Sequence, residues 1–464
     1  MGAQFLIRVD HWRNTAQSES TRQRSIAESA IHQGRKATST GTEIMADNSS
    51  SGAGPHTTVI GAGIVGVCCG LYLQRNGQRV TIVDPATPGD GASFGNAGFI
   101  SPGSCAPVGM PGLLAKVPGM LLDPLGPLFI RWRYLPWIAP WLVRLVAASN
   151  PKRVEEISQA MRSLYQSAVE DFQPLVREAK AEHLIRRDGR LEVYKNEASV
   201  NPGGLKYDLM RRRGVNFSVI GADELHELEP ALSKDYTCAV SIPESVHTTS
   251  PFNLTQALFE NFLSQGGQFL QERALGFEIG ESGPTKLITG AGSHQLENVV
   301  VAAGAYSRSL ARQLGSKVPL DTERGYHMML TNPGITLNHP ISAGDHHFAI
   351  TPMDDGIRLA GTDEFAGLHA PPNYARADAL FTVARKMFPD LSAEGATKWM
   401  GRRPSMPDSI PVISRSPKHP TVYFAFGHGH LGLTGAAVTG KLIGEMVAGK
   451  PHNIGLTPFR VDRF

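Results

Sequence analysis

The residues with the clearest chemical signature are three glycines that follow a short apolar strand. Gly61, Gly63 and Gly66 have the spacing G-x-G-x-x-G, with a predicted strand before them and a predicted helix after them. In such a turn the first glycine permits a tight bend, the second lets a pyrophosphate approach the backbone, and the third lets helix and strand pack closely. The first helical turn, with Ile64 and Val65, then offers free N–H groups to the phosphates.

A carboxylate stands where a site of this kind needs one. Asp84 ends the next predicted strand, 18 residues after Gly66, and an acidic side chain at that point can bind a ribose hydroxyl. A glycine motif alone is a weak signal, because any tight turn can use it. Here strand, turn, helix, strand and acid occur in order, so the sequence predicts a dinucleotide-binding site.

The overall composition bounds the class of protein. The chain has 464 residues, of which 41% are hydrophobic and 19% are charged, and its formal net charge is +3. These values are typical of a globular enzyme with more than one domain, and they give no basis for nucleic-acid binding. The four cysteines lack metal-ligand spacing, and two of them are neighbours, Cys68 and Cys69. We therefore expect reduced thiols, a cytoplasmic location and no metal site.

Residues 1–54 differ from the rest of the chain. They are rich in Ser, Thr, Gln, Gly and Arg, and they contain no apolar signal-peptide core. Acidic residues among the arginines argue against a transit peptide. We expect a disordered extension, or an upstream start codon with Met45 as the natural beginning.

Three further motifs resemble one known family. Ser93–Gly103 reads SFGNAGFISPG, Trp399–Pro404 reads WMGRRP, and Gly427–Thr434 reads GHGHLGLT. These runs are similar to segments of the D-amino-acid oxidase-like flavoproteins, and among those of the bacterial D-amino-acid dehydrogenases. The resemblance extends over nearly everything after Thr57. Arg402 and His430 depart from the family pattern, which usually has an apolar and a small residue at these two points.

The resemblance implies an α/β fold with a Rossmann-like FAD-binding domain, interleaved with an α+β substrate domain built on an antiparallel sheet. It also implies FAD, which we expect to be non-covalent because the Ser93–Gly98 loop contains no His or Cys. The predicted segments are the extension at 1–54, FAD-binding parts at 55–106, 201–312 and 399–464, and substrate-domain parts at 107–200 and 313–398.

The resemblance further implies which residues hold the FAD. The Ser93–Gly98 loop would follow the pyrophosphate and the flavin ring, and the backbone of Ala274 would contact the adenine. The Gly427–Gly432 turn would open the last helix beside the flavin, where the helix dipole stabilises negative charge on the reduced ring. The predicted FAD-binding residues are Gly61, Gly63, Ile64, Val65, Gly66, Asp84, Ser93, Asn96, Ala97, Gly98, Ala274, Ala303, Gly304, Gly427, His428, Gly429, His430, Leu431 and Gly432.

Arg403 is the residue that we expect to bind the substrate, with a structural ion pair as the alternative. A guanidinium can hold an amino-acid carboxylate through two parallel hydrogen bonds and so orient the Cα–H bond. Tyr326 is a second candidate for the carboxylate, and it is equally a candidate core residue. His247 and His347 are candidates for tuning amine protonation near neutral pH, or are ordinary surface or core histidines.

Together these residues predict oxidative deamination of a small D-amino acid, or of a D-proline-like secondary amino acid. A hydride would pass from Cα to flavin N5, and the electrons would pass to a quinone or another acceptor. Two alternatives stay open: an oxidase of glycine, sarcosine or an opine that uses oxygen, and a flavin-binding subunit of a heteromeric dehydrogenase. Residues 120–145 combine aromatic and basic side chains, which suits peripheral contact with the inner face of the plasma membrane, or an internal cap; their prolines and arginines exclude a spanning helix.

Overall fold

The structure is a computed structural model that describes residues 54–112, 128–200 and 204–464. The extension expected at 1–54 lies outside these residues except for Gly54, and so does the first part of 120–145. The described strands are β1 (His56–Ile60), β2 (Arg79–Val83), β3 (Phe99–Ile100), β4 (Leu128–Ile130), β5 (Ile185–Arg186), β6 (Arg190–Tyr194), β7 (Ser218–Ile220), β8 (Cys238–Ile242), β9 (Val246–Thr248), β10 (Gln268–Leu270), β11 (Ala274–Gly280), β12 (Gly283–Thr289), β13 (Ser293–Gln295), β14 (Asn298–Val301), β15 (Asp321–Leu330), β16 (Ile341–Ala343), β17 (Phe348–Met353), β18 (Gly356–Phe365), β19 (Thr397–Ser405), β20 (Val412–Arg415) and β21 (Val422–Phe426).

The helices lie mainly between these strands. They are α1 (Ile64–Arg75), α2 (Leu135–Ala148), α3 (Pro151–Tyr165), α4 (Ala168–Glu178), α5 (Leu205–Arg212), α6 (Ala222–Leu228), α7 (Pro251–Ser264), α8 (Ser307–Gln313), α9 (Ala375–Met387) and α10 (Gly432–Val447). Within the described ranges, no helix has both the length and the apolar character that crossing a membrane requires.

The first sheet carries the glycine motif and has the strand order β10-β2-β1-β14-β21-β20. Its strands are parallel except for β20, which pairs antiparallel at the edge. Helices α1 and α10 cross closely on one face of this sheet. Gly440 permits the close approach, since a Cβ at that position would lie only 2.5 Å from the carbonyl oxygen of Cys68. The carboxyl ends of parallel strands meet at one edge of a sheet. The turns after β1 and β21 therefore both open onto the same space.

The second sheet has the order β19-β15-β18-β17-β16-β6-β8-β7, with β4 added beside β18. Its long central strands are antiparallel, and α9 packs on one face through a cluster that includes Tyr326, Met328 and Leu380. The register places Glu323 opposite Arg403. Because side chains alternate along a strand, residues 323, 325 and 327 face away from α9, and the face that they form lines the site described below.

The predicted fold class is confirmed, since a mainly parallel sheet with covering helices alternates along the chain with a largely antiparallel sheet. The segment boundaries differ from those expected. Strands β7 and β8 lie in the second sheet, although they fall in the predicted FAD-binding part 201–312. Strand β19 also lies in the second sheet, although most of it falls in the predicted FAD-binding part 399–464. The apolar alternation of a short strand does not reveal which sheet it joins.

Candidate active site

A cavity of about 910 Å³ lies between the two sheets. One wall consists of the turns at the carboxyl ends of β1, β2, β14 and β21, and the other comes from strands β15 to β19. The predicted residues that line it are Gly61, Gly63, Ile64, Val65, Asp84, Ser93, Asn96, Ala97, Ala274, Ala303, Gly304, Tyr326, His347, Arg403, His428, Gly429, His430, Leu431 and Gly432.

The glycine turn has the geometry of a phosphate site. Gly61 has a φ of 115°, and a Cβ there would overlap the carbonyl of Ala302. The amide of Ala62 donates to Asp84 Oδ2 at 2.8 Å, and the amide of Ile64 donates to Ser93 Oγ at 3.0 Å. Gly63 at the start of α1 has no side chain that caps the helix, so apart from the Ile64 amide the first-turn N–H groups are left for a pyrophosphate. The residues of this wall fit a dinucleotide.

The remaining glycines of the predicted set support this wall from behind. A Cβ at Gly66 would overlap the carbonyl of Gly61, and a Cβ at Gly98 would lie 2.7 Å from the carbonyl oxygen of Thr248. Gly427 has a φ of 88° and borders a second, smaller cavity. These three residues shape the turns that carry the site.

The loop from Ser93 to Gly98 is fixed by the second sheet. Arg358 donates from Nη1 to the carbonyl oxygens of Phe94 and Asn96 at 3.1 and 2.8 Å, and Thr351 donates to the carbonyl of Ala97 at 2.8 Å. Burial lowers the pKa of Arg358 to about 10, which still leaves the guanidinium charged at neutral pH. Sequence reasoning missed Arg358, because nothing in the local sequence links it to a loop more than 250 residues earlier.

Arg403 lies on the cavity face of β19. Its guanidinium lies against Gly325, where a Cβ would overlap it. Nη1 donates to the carbonyl of Thr362 at 3.0 Å and forms an ion pair with Asp363, while Nη2 makes a longer bond of 3.4 Å to the carbonyl of Gly361. A guanidinium has five N–H donors, so these bonds leave donors for a ligand.

Three ionisable side chains meet beside Arg403, namely Glu323, Asp363 and His430. Their nitrogen and oxygen atoms lie within 4.8 Å of one another. His430 Nε2 is 3.2 Å from Asp363 Oδ1, and its Nδ1 is 3.7 Å from Glu323 Oε2. The sequence gives no motif for this cluster, because its members come from β15, β18 and the turn before α10 and meet only in the folded chain.

The pKa values of the two carboxylates in this cluster are shifted in opposite directions. Burial raises the pKa of Glu323, which also accepts a hydrogen bond of 2.7 Å from Ser405. Burial would also raise the pKa of Asp363, but the neighbouring His430 and Arg403 outweigh it and hold that pKa at about 2. Asp363 is therefore ionised at neutral pH, and its negative charge balances the positive charge of Arg403.

Tyr326 and His247 do not have the surroundings expected of substrate ligands. The Tyr326 ring belongs to the cluster beneath α9, and its hydroxyl donates to Glu364 and accepts from the amide of Asn373. His247 is buried in β9 opposite Phe99 in a separate small sheet, and burial lowers its pKa to about 4. Tyr326 thus borders the cavity but packs its ring in the core, because β15 turns its even-numbered side chains toward α9.

His347 and His428 occupy different positions around the cavity. His347 is exposed at the turn between β16 and β17, with a φ of 57°. His428 is buried on the turn before α10, and its Nε2 lies 2.9 Å from Thr439 Oγ1. Burial lowers the pKa of His428 to about 4, so it is neutral at pH 7.

A second cavity of about 220 Å³ lies behind the same turn. Both cavities are lined by Arg190, Lys206, His428 and His430. Trp141 and Leu145 of α2 form part of the apolar wall of the second cavity, and Glu323 borders it as well. His430 therefore stands where the two cavities meet, and Glu323 faces the second one.

Comparison with known proteins agrees with this geometry. The model of the family described as DAO, FAD dependent oxidoreductase, matches residues 56–446. A D-amino-acid oxidase from Bradyrhizobium diazoefficiens is 38% identical over 89% of this chain and 99% of the relative. A D-amino acid dehydrogenase from the same organism is 28% identical over 88% of this chain and 98% of that relative. Glycine oxidase from Geobacillus kaustophilus superimposes with a TM-score of 0.66 at 21% identity, covering 88% of this chain and 98% of its own, a likeness that concerns the fold.

Proposed function

This chain belongs to the DAO family of FAD-dependent oxidoreductases, and on that premise we propose that it oxidises the amine of a D-amino acid or of a D-proline-like secondary amino acid. Bound FAD supplies the acceptor for the hydride that leaves the substrate Cα. The observation that carries the proposal is the position of Arg403, whose guanidinium faces the same cavity as the glycine turn and the Ser93–Gly98 loop.

Arg403 would bind the substrate carboxylate. The donors that its bonds to Thr362, Asp363 and Gly361 leave over suit a two-pronged contact with a carboxylate. Gly325 beneath the guanidinium keeps its plane flat against β15. Fixing the carboxylate at this point fixes the direction of the Cα–H bond, and orientation of this kind accounts for a large share of the rate of such reactions.

We propose a dehydrogenase that passes its electrons to a quinone or another acceptor, with α2 as the contact to an anionic membrane surface. Trp132 and Trp137 are 79% and 76% exposed, with the exposed Arg133 and Arg144 nearby. One helical turn after Trp137, the buried Trp141 lines the second cavity. Exposed indoles and arginines match the interfacial zone of a bilayer, while Trp141 acts as the internal cap.

The substrate class is tested by an anaerobic titration of the purified holoprotein, followed at the visible flavin band. The panel contains D-alanine, D-proline, D-hydroxyproline, glycine, sarcosine, an opine and the L-forms of the chiral amino acids. We expect D-amino acids to bleach the band and their L-forms to leave it unchanged. If only glycine, sarcosine or the opine bleaches the band, the substrate is that compound and not a D-amino acid. If the flavin stays oxidised with every compound, a non-catalytic subunit is favoured.

The acceptor is tested by reoxidising the reduced protein. A soluble quinone should restore the flavin band much faster than air-saturated buffer. Faster return in air would identify an oxidase, the activity for which the 38% identical relative is named.

Flotation with vesicles of anionic and of neutral lipid tests the membrane contact, with the double variant Trp132→Ser, Trp137→Ser as the matched control. Equal flotation of both proteins would exclude α2 as the contact.

A further inference from the structure

The cluster of Glu323, Asp363 and His430 has a geometry that carboxylate binding by Arg403 does not explain. Each member comes from a different element, since Glu323 lies on β15, Asp363 on β18 and His430 on the turn before α10. The two ring nitrogens of His430 face different carboxylates, at 3.2 Å to Asp363 and 3.7 Å to Glu323. An imidazole held between two acids can pass a proton from one side to the other.

The charged surroundings of His430 are arranged asymmetrically. On the side of the main cavity, Asp363 is ionised and paired with Arg403. On the other side, burial raises the pKa of Glu323, which makes its carboxylate the better proton acceptor of the two. Arg376 acts electrostatically on Asp363 from α9.

Other groups near His430 leave this asymmetry in place. His428, on the same turn, is neutral because burial lowers its pKa to about 4. Arg190 and Lys206 line both cavities, and together they hold the pKa of Glu192 at about 2 against the effect of burial. Glu192 is therefore ionised and paired, and Glu323 is the carboxylate that can take up a proton beside His430.

Oxidation of an amino acid needs a step that moves a proton. Near neutral pH the α-amine is an ammonium group, which has no lone pair with which to form the C=N bond as the hydride leaves Cα. Arg403 and His430 line the same cavity and both pair with Asp363, so a substrate held by Arg403 lies beside His430. His430 is 38% exposed there, so its ring is accessible to a ligand.

We propose that His430 removes the α-ammonium proton of the substrate and that Glu323 carries this proton toward the second cavity. An N–H bond of the ammonium breaks and an N–H bond forms at His430 Nδ1, the ring nitrogen that is unprotonated because Nε2 donates to the ionised Asp363. This proton then passes from Nδ1 to Glu323 Oε2, which returns the ring to its neutral form. No electrons are transferred in this step, and the amine lone pair that it frees is the one that forms the C=N bond. The inference rests on the proposed function, because it requires an amino acid held at Arg403.

The test compares the pH dependence of kcat in wild type, His430→Gln and Glu323→Gln, with the D-amino acid that bleaches the flavin band. We expect His430→Gln to lose roughly tenfold or more in kcat at pH 7 and to approach wild type by about pH 10, because free hydroxide then removes the proton. Glu323→Gln should also lower kcat at pH 7 and approach wild type at high pH, but its loss at pH 7 should be smaller. His183→Gln, which alters an exposed histidine outside both cavities, is the control and should keep the wild-type profile.

Several results would overturn the proposal. A loss in His430→Gln that is the same at every pH would mean that the ring only supports the site. Inhibition of wild type by EDTA that zinc reverses would make the cluster a metal site instead. If His430→Gln does not retain FAD, Glu323→Gln carries the test, since its amide can still accept the bond from Ser405. Failure of wild type with every amino acid would refute the proposed function, whereas an active wild type with a uniform His430→Gln defect refutes only this inference.

Discussion

The two walls of the main cavity are built in opposite ways. The wall that faces the expected dinucleotide uses backbone groups and glycines from short runs of sequence, such as the turn at Gly61–Gly66. The wall that faces the substrate uses long charged side chains, such as Arg403 and Asp363, from strands far apart in the sequence. The first wall can change only by distorting the chain, whereas the second can change its chemistry one side chain at a time. Mutations should therefore separate FAD binding from substrate oxidation.

Gly61→Ala should have the largest effect, because it acts on the backbone wall. The φ of 115° is strained for alanine, and the new methyl group would overlap the carbonyl of Ala302. We expect the variant to retain less than about a tenth of the bound FAD and all activity to fall with it. The ratio of visible to ultraviolet absorbance measures this. Gly455→Ala, in open space, is the control; full FAD content in Gly61→Ala would contradict the role of this turn.

Arg403→Ala should abolish substrate capture while FAD stays bound. Removing one partner of a charged contact costs about 2–5 kcal/mol, so kcat/KM should fall roughly 30-fold to several-thousand-fold. Stopped-flow flavin reduction over a range of substrate concentrations measures this loss. Arg402→Ala is the matched control, since Arg402 donates to the carbonyl of Leu368 and its removal should change kcat/KM by less than about threefold. Loss of FAD from Arg403→Ala would show that the two walls are not independent.

Arg358→Met tests a charged connection between the two walls. Arg358 belongs to the second sheet, yet its two hydrogen bonds hold the Ser93–Gly98 loop of the cofactor wall. Bonds from a charged donor are worth about 1.5–3 kcal/mol, so we expect the Kd for FAD to rise about 10- to 100-fold. Fluorescence titration of the apoprotein with FAD measures the Kd. Arg385→Met, at the exposed end of α9, is the control and should leave the Kd for FAD unchanged. An unchanged Kd in Arg358→Met would mean that the Ser93–Gly98 loop keeps its conformation without the bonds from Arg358.

The same contrast explains which parts of the site sequence reasoning could reach. Gly61, Asp84 and the Ser93–Gly98 loop can be predicted from the sequence because their proposed chemistry depends on neighbours in the sequence, and residues of all three line the cavity. Glu323 and Asp363 were not found, since they meet only through the register of β15, β18 and β19. Tyr326 shows the limit most clearly, because a shift of one residue in strand parity moves a side chain from the cavity to the core. The extra residue that β18 carries opposite Arg324 and Tyr326, which changes the pairing of β18 and not the direction of Tyr326, likewise has no signature in the sequence.

The smallest expected effect at neutral pH concerns His428, which stands where the two walls meet. Burial lowers its pKa to about 4 from an ordinary value of 6.5, so the folded protein holds this ring neutral. The unfolded chain binds the proton more readily, so the stability from this group is complete above pH 6.5 and is lost as the pH falls toward 4. At pH 5 the loss from this one ring is about 2 kcal/mol.

In His428→Gln, the free energy of unfolding should therefore fall less between pH 7.5 and pH 5, by the amount that protonation of this one ring contributes in wild type. Part of the loss remains, because burial also lowers the pKa of His247 to about 4 and that of His327 to about 3. Chemical denaturation of the holoprotein at pH 5, 6 and 7.5 measures the slope, with His183→Gln as the control. An unchanged slope in His428→Gln would mean that this ring is protonated in the folded state. In that case water would reach the junction behind the turn before α10, and the two walls would not enclose the site from that side.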